Sequence, residues 1–350
     1  MRIALVTESF YPAVDGTTTT LKAVADRLVD LGHTIRIITP GPGLTTYRTS
    51  RVVRIRPLEP TGAQVRAAID AFAPDLVHVT SPGTLGRRAL KHTDRAGIPS
   101  VVVEQSPVLD FAADYWRAKV ADRTDVVLVT STWMVARMAE FGVTAGLWRP
   151  GVDTGAFTPA LRDRWLHDSW SRARSAAGPQ VVVGYVGGLH KRHGVRRLAD
   201  LAPIRGIRPV IIGGGSQRDW LETRLPGAKI TGALPTGDLT VAMPTFDLLV
   251  HPGEHETCSH ALRETAASGV PVVAPRAGGA VDVVRHLETG LLYEPGDARD
   301  LRRAVESLAG DRQRHLMGEH ARDLVSARSW PAAVDELTGH YASISRVRVS

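Results

Sequence analysis

Cysteine is nearly absent from this 350-residue chain, where Cys258 stands alone. A disulfide framework is therefore excluded, and a thiolate metal site has too few ligands. Lysine is scarce as well, limited to Lys22, Lys91, Lys119, Lys191 and Lys229, so the basic charge is nearly all arginine. Aromatic residues make up 5% of the chain and do not interleave with a basic stretch, which argues against a nucleic-acid partner despite the formal net charge of +7. A polyanionic small substrate accounts for that charge more simply. The opening stretch from Met1 to Pro12 contains no long apolar run, so neither a signal peptide nor a membrane span is expected. A soluble protein of the reducing cytoplasm fits these absences. Asp-x-Asp, a common metal-binding pair, does not occur. Nor does either half open with a complete Gly-x-Gly-x-x-Gly after a strand, since Gly213-Gly214-Gly215-Ser216-Gln217-Arg218 lacks the last glycine.

What is present is enough apolar residue, 43%, for two full cores, and a length that suits two domains of about 150 to 200 residues each. Two packed domains imply a cleft. Arg2 to Thr7 reads as a short strand, after which Leu21, Val24, Ala25, Leu28 and Val29 recur at helical spacing up to Gly32. Thr34 to Ile38 is again strand-like, which completes a βαβ unit and predicts a parallel sheet. The alternation continues through strands at Leu76 to Val79, Ser100 to Val103 and Val126 to Val129, with a helix over Leu85 to Ala96. After Arg149-Pro150-Gly151 the chain turns irregular, and the alternation restarts with strands at Val181 to Tyr185, Pro209 to Ile212, Leu248 to His251 and Pro271 to Ala274. The expected architecture is α/β with two doubly wound, Rossmann-like domains: 1–150, 151–329 and a C-terminal helix in 330–350.

Ligands of open α/β sheets sit at the carboxyl ends of strands, which directs attention to the first βα loops. In the first domain, Gly16 permits close backbone approach and the threonines 17 to 20 offer helix caps. Taken alone, a plain glycine turn with a threonine cap is the better account of that loop. In the second domain, Glu256 falls just after a strand and Glu264 lies eight residues on, inside a helix that stops at Gly269. The helix N-terminus between them suits a phosphate, and the carboxylates suit sugar or ribose hydroxyls. Residue by residue, a cap and a solvated charge remain an alternative.

The Glu-x7-Glu pattern, followed by Ala-Ser-Gly-Val-Pro-Val-Val, the Gly278-Gly279 turn and Asp282, resembles retaining glycosyltransferases of family 4, which have the GT-B fold. The start from Val6 to Gly16, Pro74 to His78, Gly151 to Phe157 and Gly213 to Gly215 follow the family in the same order. The likeness covers nearly the whole chain and is closest to actinobacterial α-mannosyltransferases that use GDP-mannose. It implies two Rossmann-like domains facing across a cleft, an acceptor domain followed by a donor domain, and a C-terminal helix crossing back to the first. It also implies retaining transfer of a mannose-like hexose from a nucleotide diphosphate sugar, GDP-mannose or a UDP-sugar, without metal or other cofactor. By resemblance, Glu256 contacts the donor sugar, and Thr257, Cys258, Ser259, His260 and Ala261 lie along sugar and phosphate. Glu264 holds the ribose hydroxyls, and Gly16 lets the first domain close on the diphosphate.

Two departures stand out. Family members read Gly-Arg-Leu-x3-Lys after the first strand of the second domain, whereas this chain places Gly188 at the arginine and His193 at the lysine. Lys191, Arg192 or a protonated His193 could supply the lost charge. Solvated Lys191 and Arg192 are the equal alternative. In the first domain, Gln105 stands where relatives often carry a histidine, and an amide can hydrogen-bond hydroxyls but cannot act as a base. The stretches 41–73 and 111–124 are shorter than in typical relatives. Arg48, Arg51, Arg54 and Arg56 alternate with apolar residues as in a strand, so a membrane-inserting helix is not evident. A small hydroxylated acceptor is expected, with a glycolipid as the alternative and at most peripheral contact with the inner membrane face. A sugar-nucleotide-binding pseudoenzyme and a GT-B epimerase or phosphorylase are the rival classes, although no lysine suits a pyridoxal phosphate site. A dehydrogenase is disfavoured by the broken glycine pattern.

Overall fold

The computed structural model describes residues 1–12, 15–108, 112–176, 178–258 and 260–347, with side chains to residue 345. The chain divides into two compact units, Met1–Gly151 with Trp330–Ser350, and Val152–Ser329.

In the first unit β1 (Arg2–Thr7), β2 (Thr34–Pro40), β3 (Thr46–Tyr47), β4 (Ser50–Ile55), β5 (Leu76–Thr80), β6 (Ser100–Glu104), β7 (Val126–Val129) and β8 (Gly146–Leu147) form one sheet. Its order is β3-β4-β2-β1-β5-β6-β7-β8, parallel apart from β3 against β4. Parallel strands covered on both faces must be apolar at consecutive positions, and β5 and β6 are buried at every residue. Its helices include α1 (Gly16–Asp30), α2 (Thr61–Asp70), α3 (Thr84–Ala96) and α4 (Thr132–Glu140). From β1 the chain winds outward to β2 and β4, then returns to β5 on the other side of β1. The sheet's topological switch point therefore lies between β1 and β5.

One local expectation changes. Asp15, not a threonine, caps α1: its Oδ1 accepts the Thr18 amide at 2.8 Å, while the Thr19 and Thr20 hydroxyls donate back to the carbonyls of Asp15 and Gly16. A carboxylate three residues before that amide is the stronger acceptor for the helix N-terminus.

The second unit contains β9 (Val181–Val186), β10 (Ile207–Ile212), β11 (Lys229–Gly232), β12 (Leu248–Val250), β13 (Val272–Pro275) and β14 (Gly290–Tyr293). They form a parallel sheet in the order β11-β10-β9-β12-β13-β14. Its helices include α5 (Arg164–Trp170), α6 (Arg218–Arg224), α7 (Thr236–Ala242), α8 (His260–Ala267), α9 (Ala298–Gly310) and α10 (Arg314–Ser326). Here the winding reverses between β9 and β12.

The last helix, α11 (Trp330–Val347), packs on the first unit's sheet and on α1, where Ala333, Val334, Leu337 and Tyr341 join a core with Leu21, Val24 and Leu28. Three polar contacts fix its register. Arg27 grips Asp335 with two bonds of 2.8 and 2.7 Å, the Trp148 indole donates to the Ala333 carbonyl at 2.8 Å, and the Tyr341 hydroxyl meets His78 Nδ1 at 2.5 Å. His78 is fully enclosed on β5, and burial pushes its pKa down to about 3.

The fold therefore accepts only neutral His78, whereas the unfolded chain protonates it near pH 6.5. The resulting stability is complete above pH 6.5 and falls by roughly 1.4 kcal/mol per unit as pH drops toward 3. Denaturant unfolding of wild type and His78→Gln between pH 7 and 5 should show a steeper acid loss for wild type. Parallel slopes would contradict this.

Candidate active site

Both sets of residues expected to bind the donor emerge at the switch point of the second sheet. β9 runs into Gly187–His193 and β12 runs into His251–Glu256, and these two strands are hydrogen-bonded neighbours. Crevices at such reversals are where doubly wound sheets bind ligands.

Glu256 sits in a network of imidazoles. His251, nearly fully buried at the end of β12, places Nε2 3.1 Å from Glu256 Oε2. Burial alone would raise the Glu256 carboxyl, but His251, then His193 and His260, hold it below the usual carboxylate range. Glu256 is thus kept ionised. The turn at Gly278 backs this loop: Gly279 N–H donates to the Glu256 carbonyl at 2.6 Å. A Cβ at Gly278, whose φ is +55°, would lie 2.7 Å from the Glu254 carbonyl oxygen and 2.9 Å from the Glu256 nitrogen. Only glycine permits that approach.

Glu264 has the opposite electrostatics. It lies on α8 with its carboxyl largely buried, no hydrogen bond reaches that carboxyl among the described residues, and burial raises its pKa to about 7. Thr257 and Cys258 are buried between the two glutamates, with Cys258 Sγ 3.1 Å from His260 Nε2. Ala261 is half-buried at the start of α8. Ser259 lies outside the described residues.

The segment after β9 shows what replaced the expected cations. Lys191–His193 form one 3-10 turn, ended by Gly194 at φ +68°. A Cβ at Gly188 would come within 3.3 Å of His190 and 3.5 Å of His193, so imidazoles crowd the space where a longer side chain would start. His193 Nε2 accepts the Arg192 Nε–H at 3.2 Å. Burial pushes His193 below its ordinary pKa, with Glu256 opposing and Arg192, His190 and His251 reinforcing. Burial thus disfavours the cationic form of His193, while Lys191 and Arg192 are exposed.

The first unit has its own site-like feature at the strand ends flanking its switch point. Glu8, Ser81, Glu104, Ser106, Tyr115 and Trp116 line much of a cavity of about 390 Å³. Glu8 Oε1 accepts the Leu85 and Gly86 amides at 2.7 and 3.0 Å, capping α3 from the end of β1. Glu104 Oε1 accepts the Gln105 and Ser106 amides at 2.8 and 2.6 Å and the Ser81 hydroxyl at 3.0 Å. Burial raises both carboxyls above their ordinary values. Gln105 is buried beside this cavity and is not part of its lining. Gly16 is the first residue of α1. Sequence reasoning gave no role to Glu8, Glu104 or His251. A carboxylate or histidine at the carboxyl end of each of β1, β6 and β12 was the available signal. No group of three or more His, Cys, Asp or Glu among the described residues could hold a metal ion.

Residues 180–311 match the family model of glycosyl transferases group 1, and residues 14–156 match glycosyltransferase family 4. A GDP-mannose-dependent alpha-mannosyltransferase of Mycolicibacterium smegmatis is 36% identical, covering 98% of both chains. Another of that description, from Mycobacterium tuberculosis, is 34% identical over 98% of this chain and 97% of its own. This chain belongs to glycosyltransferase family 4. Among solved structures, Anabaena HepE in complex with UDP and glucose superposes with a TM-score of 0.81 at 18% identity, over 98% of this chain and all of that one. Sucrose-phosphate synthase from Thermosynechococcus elongatus gives 0.79 at 20% identity, over 99% of each. The fold is GT-B, and the protein is a nucleotide-sugar glycosyltransferase.

In this transferase the raised pKa of Glu264 is a cost to folding. The folded state favours the protonated carboxyl, so its stabilising contribution is present below about pH 4.5 and lost as pH rises through about 7. Glu264→Gln should stabilise the ligand-free protein by about 2 to 3 kcal/mol at pH 8 and by little at pH 4.5. A destabilised Gln variant at pH 8, measured by denaturant unfolding, would show that Glu264 has a partner in solution.

Proposed function

We propose that this transferase moves mannose from GDP-mannose to a hydroxyl of a small acceptor, with retention of configuration and without metal or other cofactor. The observation that carries the donor assignment is likeness over nearly the full length to proteins described as GDP-mannose-dependent alpha-mannosyltransferases, including one from Corynebacterium glutamicum at 31% identity.

The geometry supports a division of labour between two glutamates held in opposite states. Ionised Glu256 accepts hydrogen bonds from the hydroxyls of the transferring sugar. Glu264, with an unused carboxyl, accepts the ribose hydroxyls, whose donated bonds lower its pKa on binding. Backbone groups from Thr257 to Ala261, including the start of α8, lie along the sugar and diphosphate. Lys191 and Arg192 oppose the leaving-group charge in place of the cations missing at Gly188 and His193.

In the transfer, the bond between the anomeric carbon and the diphosphate oxygen breaks as the acceptor oxygen bonds to the same face. The acceptor proton passes to the departing phosphate oxygen, so no protein nucleophile is needed. The cavity of the first unit, lined in part by Glu8, Ser81 and Glu104, offers hydrogen-bond acceptors to the hydroxyls of a small acceptor. The absence of Asp-x-Asp favours metal independence. A single, buried cysteine, Cys258, outside any disulfide is compatible with cytoplasmic work, with at most peripheral membrane contact. No helix among the described residues is long and apolar enough to cross a membrane.

Two outcomes test this reading. Glu264→Gln should weaken GDP binding while Glu256→Gln mainly slows transfer, each by roughly 1.5 to 3 kcal/mol as read by calorimetry and kcat. Equal, negligible effects would sink both assignments. Transfer should also persist in EDTA, and an absolute need for manganese or magnesium would refute the electrostatic scheme.

A further inference from the structure

The arginine-rich strand of the first unit remains unused by the transfer reaction. Arg51 opens the exposed side of β4, and its partner in the parallel register with β2 is Arg36. Like charges directly across adjacent strands repel. Both line a groove of about 340 Å³ between β4 and α2, together with Arg54 and Arg56, and no carboxylate belongs to its lining. The apolar part of the lining is Val53, Ile55, Ala67 and Ala68 of α2 and Ala71 just after it, whose small side chains leave the space open.

The four guanidinium groups are not equivalent. Arg54 is spent on the carbonyls of Leu44, Pro40 and Tyr11, at 3.0, 3.3 and 2.5 Å. Arg56 is paired with Glu59 at 2.8 Å. Arg36 lies over the Phe72 ring at 4.5 Å and donates one long bond to the Ala68 carbonyl, 3.3 Å, leaving most of its donors unused. Arg51 has no partner among the described residues, and no acid offsets either Arg36 or Arg51. Burial, then the charges of Arg51 and Arg2, hold the Arg36 guanidinium below its ordinary pKa.

Planar guanidinium donors beside an apolar wall match an oxyanion carried on an apolar or aliphatic body. We propose that the groove between β4 and α2 is a binding site for a phosphate ester, held by Arg36 and Arg51 with its aliphatic part against Val53 and the alanines of α2. The site is separate from the donor residues, all of which lie in the second unit apart from Gly16. A soluble phosphorylated metabolite and a phospholipid headgroup present the same chemistry.

The test compares wild type with Arg51→Gln, an exposed position without contacts to lose. Arg312→Gln in the second unit serves as the control for removing one charge. Glycerol 3-phosphate is titrated calorimetrically at fixed ionic strength, and vesicles of phosphatidylglycerol are compared with vesicles of phosphatidylcholine in co-sedimentation. An affinity for glycerol 3-phosphate about tenfold or more weaker in Arg51→Gln than in Arg312→Gln would assign the site to soluble phosphate esters. A loss of that size confined to phosphatidylglycerol vesicles would assign it to lipid headgroups. If Arg51→Gln matches wild type, or only matches Arg312→Gln, in both arms, the groove is a solvated surface and the proposal falls.

Discussion

The loop that carries Glu256 depends on a close backbone approach that only glycine allows. With φ at +55° and no Cβ, Gly278 lets the turn after β13 press against Glu254 to Glu256, and the Gly279 amide secures the Glu256 carbonyl. The loop after β12 is thereby fixed from one side, while His251, buried at the strand's end, fixes the carboxylate from the other. The ionised state follows from the same packing, because the imidazoles that orient Glu256 also offset its burial.

Two carboxyls eight residues apart are driven in opposite directions by their surroundings. Glu256 stays below the usual range beside three histidines, and Glu264 rises to about 7 with no hydrogen bond to its carboxyl among the described residues. Environments that separate paired acids in this way are a recurrent sign that the acids do different work. An unpartnered buried carboxyl destabilises a free protein, and such a group persists where a ligand supplies the missing hydrogen bonds. The replaced cations follow a related logic. With glycine at 188, the histidines of the following turn occupy the vacated space, and the positive charge moves outward to Lys191 and Arg192.

Much of the fold was legible in the sequence because parallel strands buried on both faces leave continuous apolar runs. β1, β5, β6, β9 and β12 all announce themselves in this way. β3, β11 and β14 do not, being two to four residues long and, in β3 and β11, partly polar. Glu256 and Glu264 were legible as a spaced pair after a strand. Their electrostatic difference was not, since it arises from His251, His193 and His260, which the fold gathers from three separate segments. Glu8 and Glu104 were hidden for the same reason: they lie 96 positions apart in sequence, and the sheet order sets both at one cavity. The helix cap at Asp15 was misassigned to its threonine neighbours because each residue type caps helices, and only the geometry tells which oxygen meets the amide.

The central claim is that Glu256 and Glu264 belong to a working sugar-nucleotide site selective for guanine. Its most direct measurement is a thermal-shift titration of the ligand-free protein with GDP, UDP, dTDP and ADP, since a ligand that binds only the folded state raises Tm by mass action. The account predicts a clear, concentration-dependent rise with GDP that exceeds the rise with each of the other three. No shift with any of the four, or a larger shift with another base, would contradict it.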